Sequence, residues 1–258
     1  MSPFSWSPKM RHLLFPALSL LCSSIAMPVV SGDHGPHWGY EGDAGPAHWG
    51  ELTPEFAACS SGKNQSPVDI ASVIDGPLAD LDFSYGTAAT TIFNNGHTVQ
   101  LSFEPGSELK VDGLAFGLKQ VHFHTPSEHQ VDGKSYPLEA HLVHASADGQ
   151  LAVVAVIYEL GQDNSVLASS WAQLPTTVSD PLPLSSPLKA AELLPAKRDY
   201  FRYSGSLTTP PCSEGVRWLV FKDHPQVSKA QVERFLTARG GRHNNRPVQP
   251  YHARQVVE

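Results

Sequence analysis

Lys119-Gln120-Val121-His122-Phe123-His124 and Leu138-Glu139-Ala140-His141-Leu142-Val143 are the two stretches that decide the fold. Successive side chains of a β-strand point to opposite faces. On the first stretch Gln120, His122 and His124 share one face, and Val121 and Phe123 take the other. On the second, Glu139, His141 and Val143 share a face, opposite Leu138, Ala140 and Leu142. Asp132-Gly133 between them is a turn signal, so the two can pair antiparallel. Three imidazoles then converge on one point. Three histidines with no fourth protein ligand form the pattern of a catalytic zinc site with an open position. Gln120 and Glu139, each two residues before a histidine, suit the outer hydrogen bonds that metal-bound imidazoles make. The chain has 13 histidines, and a lone His-x-His is more often surface or core than a ligand pair. The third histidine and the two polar partners set this one apart.

The length of 258 residues and a hydrophobic content of 41% suit one large domain with an ample core. No linker or internal repeat is visible, and the Pro-rich run Leu174 to Pro187 reads as an ordered loop. The N-terminus reads as an export signal over residues 1–26. Lys9 and Arg11 start it, Leu13 to Cys22 is mostly apolar, and Ser24-Ile25-Ala26 offers small residues for cleavage. The apolar run is too short for a comfortable span, so no stable membrane helix is expected after processing. Loss of the two basic residues takes the net charge from −7 to −9. An acidic chain without basic runs argues against nucleic acid. Export places the chain in the periplasm or outside the cell. Cys59 and Cys212 remain after processing. In an oxidising compartment one bridge is the simplest expectation, with two buried thiols as the alternative.

Short alternating runs recur at 91–93, 98–103, 114–118, 121–123, 140–143, 151–158 and 217–221. Asn95-Gly96, Asp112-Gly113, Asp132-Gly133 and Asp148-Gly149 punctuate them. A helix is expected after Asn164, and another from Ser228 with Gln231 completing a capping box. The fold class is mainly β (α+β), an antiparallel sheet with short peripheral helices. It lacks the strand–helix alternation of a doubly wound fold.

These residues resemble the alpha-class carbonic anhydrases of the bacterial exported type. The resemblance runs from about His37 to the C-terminus, with a catalytic domain over 33–258. It is carried by His37-Trp-Gly-Tyr40, Gly45-Pro-Ala-His-Trp49, Asn64-Gln-Ser-Pro-Val-Asp-Ile70, Asn94-Asn-Gly-His97, the two histidine strands, Ser206-Leu-Thr-Thr-Pro-Pro-Cys212 and Asn244-Asn-Arg-Pro247. The short Thr-Pro-Ser connection from His124 to Glu128 departs from the longer loop of animal members and suits bacterial ones.

The resemblance implies a central, mostly antiparallel twisted sheet of about ten strands. It implies reversible hydration of CO2 to bicarbonate and a proton, with Zn2+ as cofactor. His122, His124 and His141 would bind the zinc, with water or hydroxide as fourth ligand attacking CO2. The family is itself the reference case for a zinc site that brings a bound water's pKa to about 7. Thr208 would orient that hydroxide, with Glu128 accepting its proton. Gln120 and Glu139 would hold His122 and His141. Asn244 would hold His124 through its backbone carbonyl, so its side chain is expected to matter less. Val143, Val153, Leu207 and Trp218 match the apolar wall for CO2. Tyr40, Asn95, Gln100 and Thr209 match the half that organises water. His97 matches the proton shuttle, where an imidazole pKa near 6.5 is well placed. Cis peptide bonds are expected at Ser66-Pro67 and Pro210-Pro211. A homodimer is compatible with the sequence. Two other readings are a secreted zinc esterase and a non-catalytic binding relative; the latter loses a ligand histidine, and this chain keeps all three.

Overall fold

The computed structural model describes Met1 and residues 37–258. The export-signal reading over residues 1–26, including Lys9, Arg11 and Cys22, lies outside the described residues. Among the described residues no helix is long and apolar enough to cross a membrane.

Residues 37–258 are organised on a 13-stranded sheet. Its main path runs Leu182–Lys189, Ala88–Asn94, Val99–Phe103, Leu114–His124, Leu138–Ala145, Leu151–Leu160, Glu214–Phe221, Tyr200–Ser206, Val256–Val257 and Val73–Ile74. This path accounts for the ten or so strands expected; Asp82–Tyr85, Ser107–Val111 and Gln226–Val227 join off it. Most pairs are antiparallel. Leu151–Leu160 and Glu214–Phe221 pair parallel, so the sheet is mixed.

Register positions the site. His122 lies opposite His141, and His124 opposite Glu139. A second row crosses the sheet through Gln120, Val143, Val153, Trp218 and Tyr203. The opposite face carries the main core, including Leu101, Val121, Phe123, Leu142, Val154 and Phe221. The helix Lys229–Ala238 caps that core, with Phe235 against Phe123. The capping box of Ser228 and Gln231 is present, and Asn164 caps Ser165–Ser170.

Two sequence expectations change. The runs at 114–118 and 121–123 belong to one strand, Leu114–His124, whose register shifts between Leu118 and Gln120. Phe116, Leu118, Val121 and Phe123 all enter the core, which strict alternation forbids. The bulge restores the phase. The last six residues of the Pro-rich run are not loop but belong to the edge strand Leu182–Lys189, with a register shift between Pro183 and Leu188. An edge tolerates prolines because one side of the strand needs no N–H. Cys59 and Cys212 are bonded. Ser66-Pro67 and Pro210-Pro211 are cis, and so is Thr125-Pro126.

Candidate metal centre

The rings of His122, His124 and His141 lie 4.6 to 5.2 Å apart, centroid to centroid. One ligand atom from each lies within 4.8 Å of the other two. Each ring gives its other nitrogen to an acceptor. His122 Nδ1 donates to Gln120 Oε1 at 2.8 Å, and His124 Nδ1 to the Asn244 carbonyl at 2.6 Å. His141 Nε2 donates to Glu139 Oε1 at 2.8 Å. These acceptors fix the tautomers, leaving Nε2 of His122, Nε2 of His124 and Nδ1 of His141 with free lone pairs. His124 Nε2 is buried without a hydrogen-bond partner. An orphaned buried nitrogen in a native core calls for a ligand.

Burial holds all three imidazoles below their ordinary pKa, with His124 pushed down to about 3. They are therefore neutral, the form that binds a metal. The donor set fits Zn2+, which takes neutral imidazoles and keeps a position open when only three are offered. A second trio, His129, Glu139 and His141, is also close enough for a metal. Its atoms are already bonded to one another: His129 Nδ1 meets Glu139 Oε1 at 2.6 Å and its Nε2 meets Tyr203 Oη at 2.7 Å. Apart from His141 Nδ1, already counted in the first trio, no lone pair there is free for an ion.

Glu139 is the pivot beneath the centre. Its Oε2 accepts the backbone N–H groups of Glu128 and His129 at 2.8 and 2.9 Å. Burial alone would raise its pKa, but His129 and His141 hold it well below the carboxylate range. Glu128 goes the other way. Burial raises it well above that range, against the Arg246 N–H and the Thr208 hydroxyl, which pull it down. Arg246 N donates to Oε1 at 2.8 Å. The Thr208 hydroxyl lies near enough to act on the carboxylate, yet Oε2 has no partner of full hydrogen-bond geometry. Both observations put Thr208 beside Glu128 and leave their bond incompletely formed.

The profile described as eukaryotic-type carbonic anhydrase matches residues 44–258. The chain belongs to the carbonic anhydrase family. A carbonic anhydrase of Neisseria gonorrhoeae is 44% identical over 252 residues, covering 97% of this chain and 98% of that one. The alpha-carbonic anhydrase of Thermovibrio ammonificans, solved with the inhibitor sulfanilamide, is 47% identical with a TM-score of 0.85, covering 87% of this chain and 100% of that one. A hyperthermostable carbonic anhydrase from a hydrothermal vent chimney is 50% identical with a TM-score of 0.84, covering 86% and 99%.

Val143, Val153, Leu207 and Trp218 gather in one apolar cluster. The Trp218 ring lies 4.9 Å from that of His141, and its Nε1 donates to the Ser206 carbonyl. A cavity of about 120 Å³ is lined by Tyr40, Asn95, His97, Gln100, His122 and Thr209, among others. Asn95 Oδ1 accepts the backbone N–H groups of His97 and Thr98 at 2.9 and 2.8 Å, so it shapes the turn that carries His97. The His97 ring stacks on Trp38 at 3.7 Å with 9° between planes. Burial first, then Arg239 and His37, push its imidazole down to about 4. That departs from the 6.5 expected of an exposed turn histidine.

The Asn244 side chain also departs from expectation. Its Oδ1 accepts Thr125 N at 2.9 Å, and its Nδ2 donates to the carbonyls of Phe123 and His97. It joins the end of the histidine strand to the His97 turn. Sequence reading missed the buried chain of His129, Tyr203 and Ser66, which continues to the Ser206 backbone. Arg246 was missed too; it is buried and bonds Gln65, Ser66 and Cys59.

Proposed function

We propose that His122, His124 and His141 hold one Zn2+ and that the chain converts carbon dioxide and water reversibly to bicarbonate and a proton. The observation that carries this is the set of three neutral, hydrogen-bonded imidazoles with their free nitrogens gathered together. When bound, Zn2+ supplies a Lewis acid that makes a water nucleophilic at neutral pH and draws neighbouring acids to their ionised forms, the effect for which carbonic anhydrases are the standard example.

The chain's own residues do the rest. Glu128 accepts the Thr208 proton, so the Thr208 oxygen is left to accept from the nucleophilic water and to aim its lone pair. Gln120, Glu139 and the Asn244 carbonyl fix the three rings and raise their basicity. Val143, Val153, Leu207 and Trp218 give apolar CO2 a wall without competing water. Tyr40, Asn95, Gln100 and Thr209 order water toward His97, which carries the released proton to the rim. The Cys59–Cys212 bond supports an exported, oxidising setting.

CO2 hydration measured before and after chelation, with zinc added back, tests this reading. His141→Ala should lose most bound metal and fall to background. A variant that keeps stoichiometric zinc and near-normal turnover would sink the assignment.

A further inference from the structure

A second cavity, of about 150 Å³, adjoins the cleft and shares Trp38, Tyr40 and His97 with it. Its titratable lining is His37, Tyr40, Glu41, His97, Arg239, Arg242 and His243. Two guanidiniums and three imidazoles thus surround His37's neighbour Trp38 and oppose a lone carboxylate. Arg239 is only partly satisfied. Its Nη1 donates to the Gly96 carbonyl, and its guanidinium lies 5.9 Å from the Tyr40 ring centre. Its Nε is buried and meets no acceptor among the described residues. Such a donor calls for a missing acceptor. Both arginines also line a neighbouring groove beside Gly96, so the pocket is reached from solvent.

We propose that this rim pocket binds an oxyanion of the phosphate or bicarbonate class between Arg239, Arg242 and His97, and that hydrogenphosphate bound there takes the proton His97 delivers. The transfer rests on the shuttle role given to His97 above; the binding does not. Oxyanion oxygens supply the acceptor that Arg239 Nε lacks, and guanidiniums bind such groups through charge-assisted pairs. Glu41 opposes an anion, but two fixed positive charges outweigh it. The site also answers why His97 is so weak a base. Burial, Arg239 and His37 hold it near 4. An anion beside the ring offsets the Arg239 charge and stabilises imidazolium, which makes the ring a better proton acceptor. The step balances: imidazolium loses one proton to become imidazole, and hydrogenphosphate gains it to become dihydrogenphosphate.

The test uses the zinc-loaded enzyme and two readouts. The first is NMR of the His97 ring during titration with inorganic phosphate and, separately, sodium bicarbonate; the tighter of the two identifies the source. The second is proton-release turnover as phosphate is raised. Saturable shifts of the His97 ring and saturating turnover are expected. Arg242→Gln, at an exposed position, should bind about tenfold more weakly, and Arg239→Lys with Arg242→Gln more weakly still. Rescue of turnover by neutral imidazole should be the same in all three proteins. Ring shifts that never saturate, or that ignore the arginines, overturn the site even if His97→Ala proves the shuttle. Saturable, arginine-dependent shifts with wild-type turnover in His97→Ala keep the site and overturn the transfer.

Discussion

At the scale of single residues, His97 and Asn244 carry the sharpest expectations. His97 is held by Asn95 and stacked on Trp38, and it lines the cavity beside His122 and His124. His97→Ala should lower turnover in dilute buffer by about tenfold or more while leaving CO2/bicarbonate exchange nearly unchanged. Imidazole in the buffer should restore much of the loss. Equal turnover in weak buffer would place the proton exit elsewhere. Asn244 satisfies three backbone groups with one side chain. Asn244→Ala leaves buried partners unpaired, a loss of about 2–3 kcal/mol. Zinc affinity should drop roughly tenfold, because the carbonyl that orients His124 loses its anchor. Denaturant unfolding and metal-competition titration check both; wild-type values would make the side chain dispensable.

At the scale of elements, the bulge near Lys119 and the far face of the sheet matter most. The strand Leu138–Ala145 buries His144 on the core side, away from His141. His144 Nδ1 donates to the Ala152 carbonyl, and its Nε2 meets Tyr85 Oη at 2.7 Å. Both nitrogens are satisfied in the neutral ring, and burial pushes its pKa from 6.5 down to about 4. Below pH 6.5 the unfolded chain therefore takes up a proton that the folded one refuses. Stability falls with pH across the window from 6.5 to 4, by about 3 kcal/mol from this group. His144→Gln should flatten the fall in melting temperature between pH 7 and 5. A slope equal to that of the wild type would assign the acid sensitivity to other groups.

At the scale of the whole molecule, the Cys59–Cys212 bond joins points 153 residues apart. It ties the N-terminal helical turns to the segment carrying Thr208. Cys212 N donates to the Thr209 carbonyl, and Gln65 Nε2 to the Cys212 carbonyl, so the bond and the Thr208 turn are one unit. Closing so long a loop is worth up to about 5 kcal/mol in the chain-entropy model. Reduction, or Cys59→Ser with Cys212→Ser, should lower the melting temperature and also turnover. Lost stability with full turnover at a temperature where the variant stays folded would separate the bond from the site.

The sequence alone determined the histidine face, the antiparallel pairing and both helix caps, because strand alternation and capping are local. Gln120, His122, Glu139 and His141 needed only a period of two. Whether Cys59 and Cys212 meet depended on how 153 residues of chain return, although composition left few partners. The tertiary structure decided what no local pattern carries. It placed a bulge where two core-facing runs fall out of phase, and it made a proline-rich run an edge strand. It brought Asn244 to His124 from 120 residues away and closed His129, Tyr203 and Ser66 into a buried chain. It also half-buried His97 and set Arg239 and His37 near it, which makes that imidazole a much weaker base. Charge neighbourhood and burial are sums over the whole fold, so a single chain order does not display them.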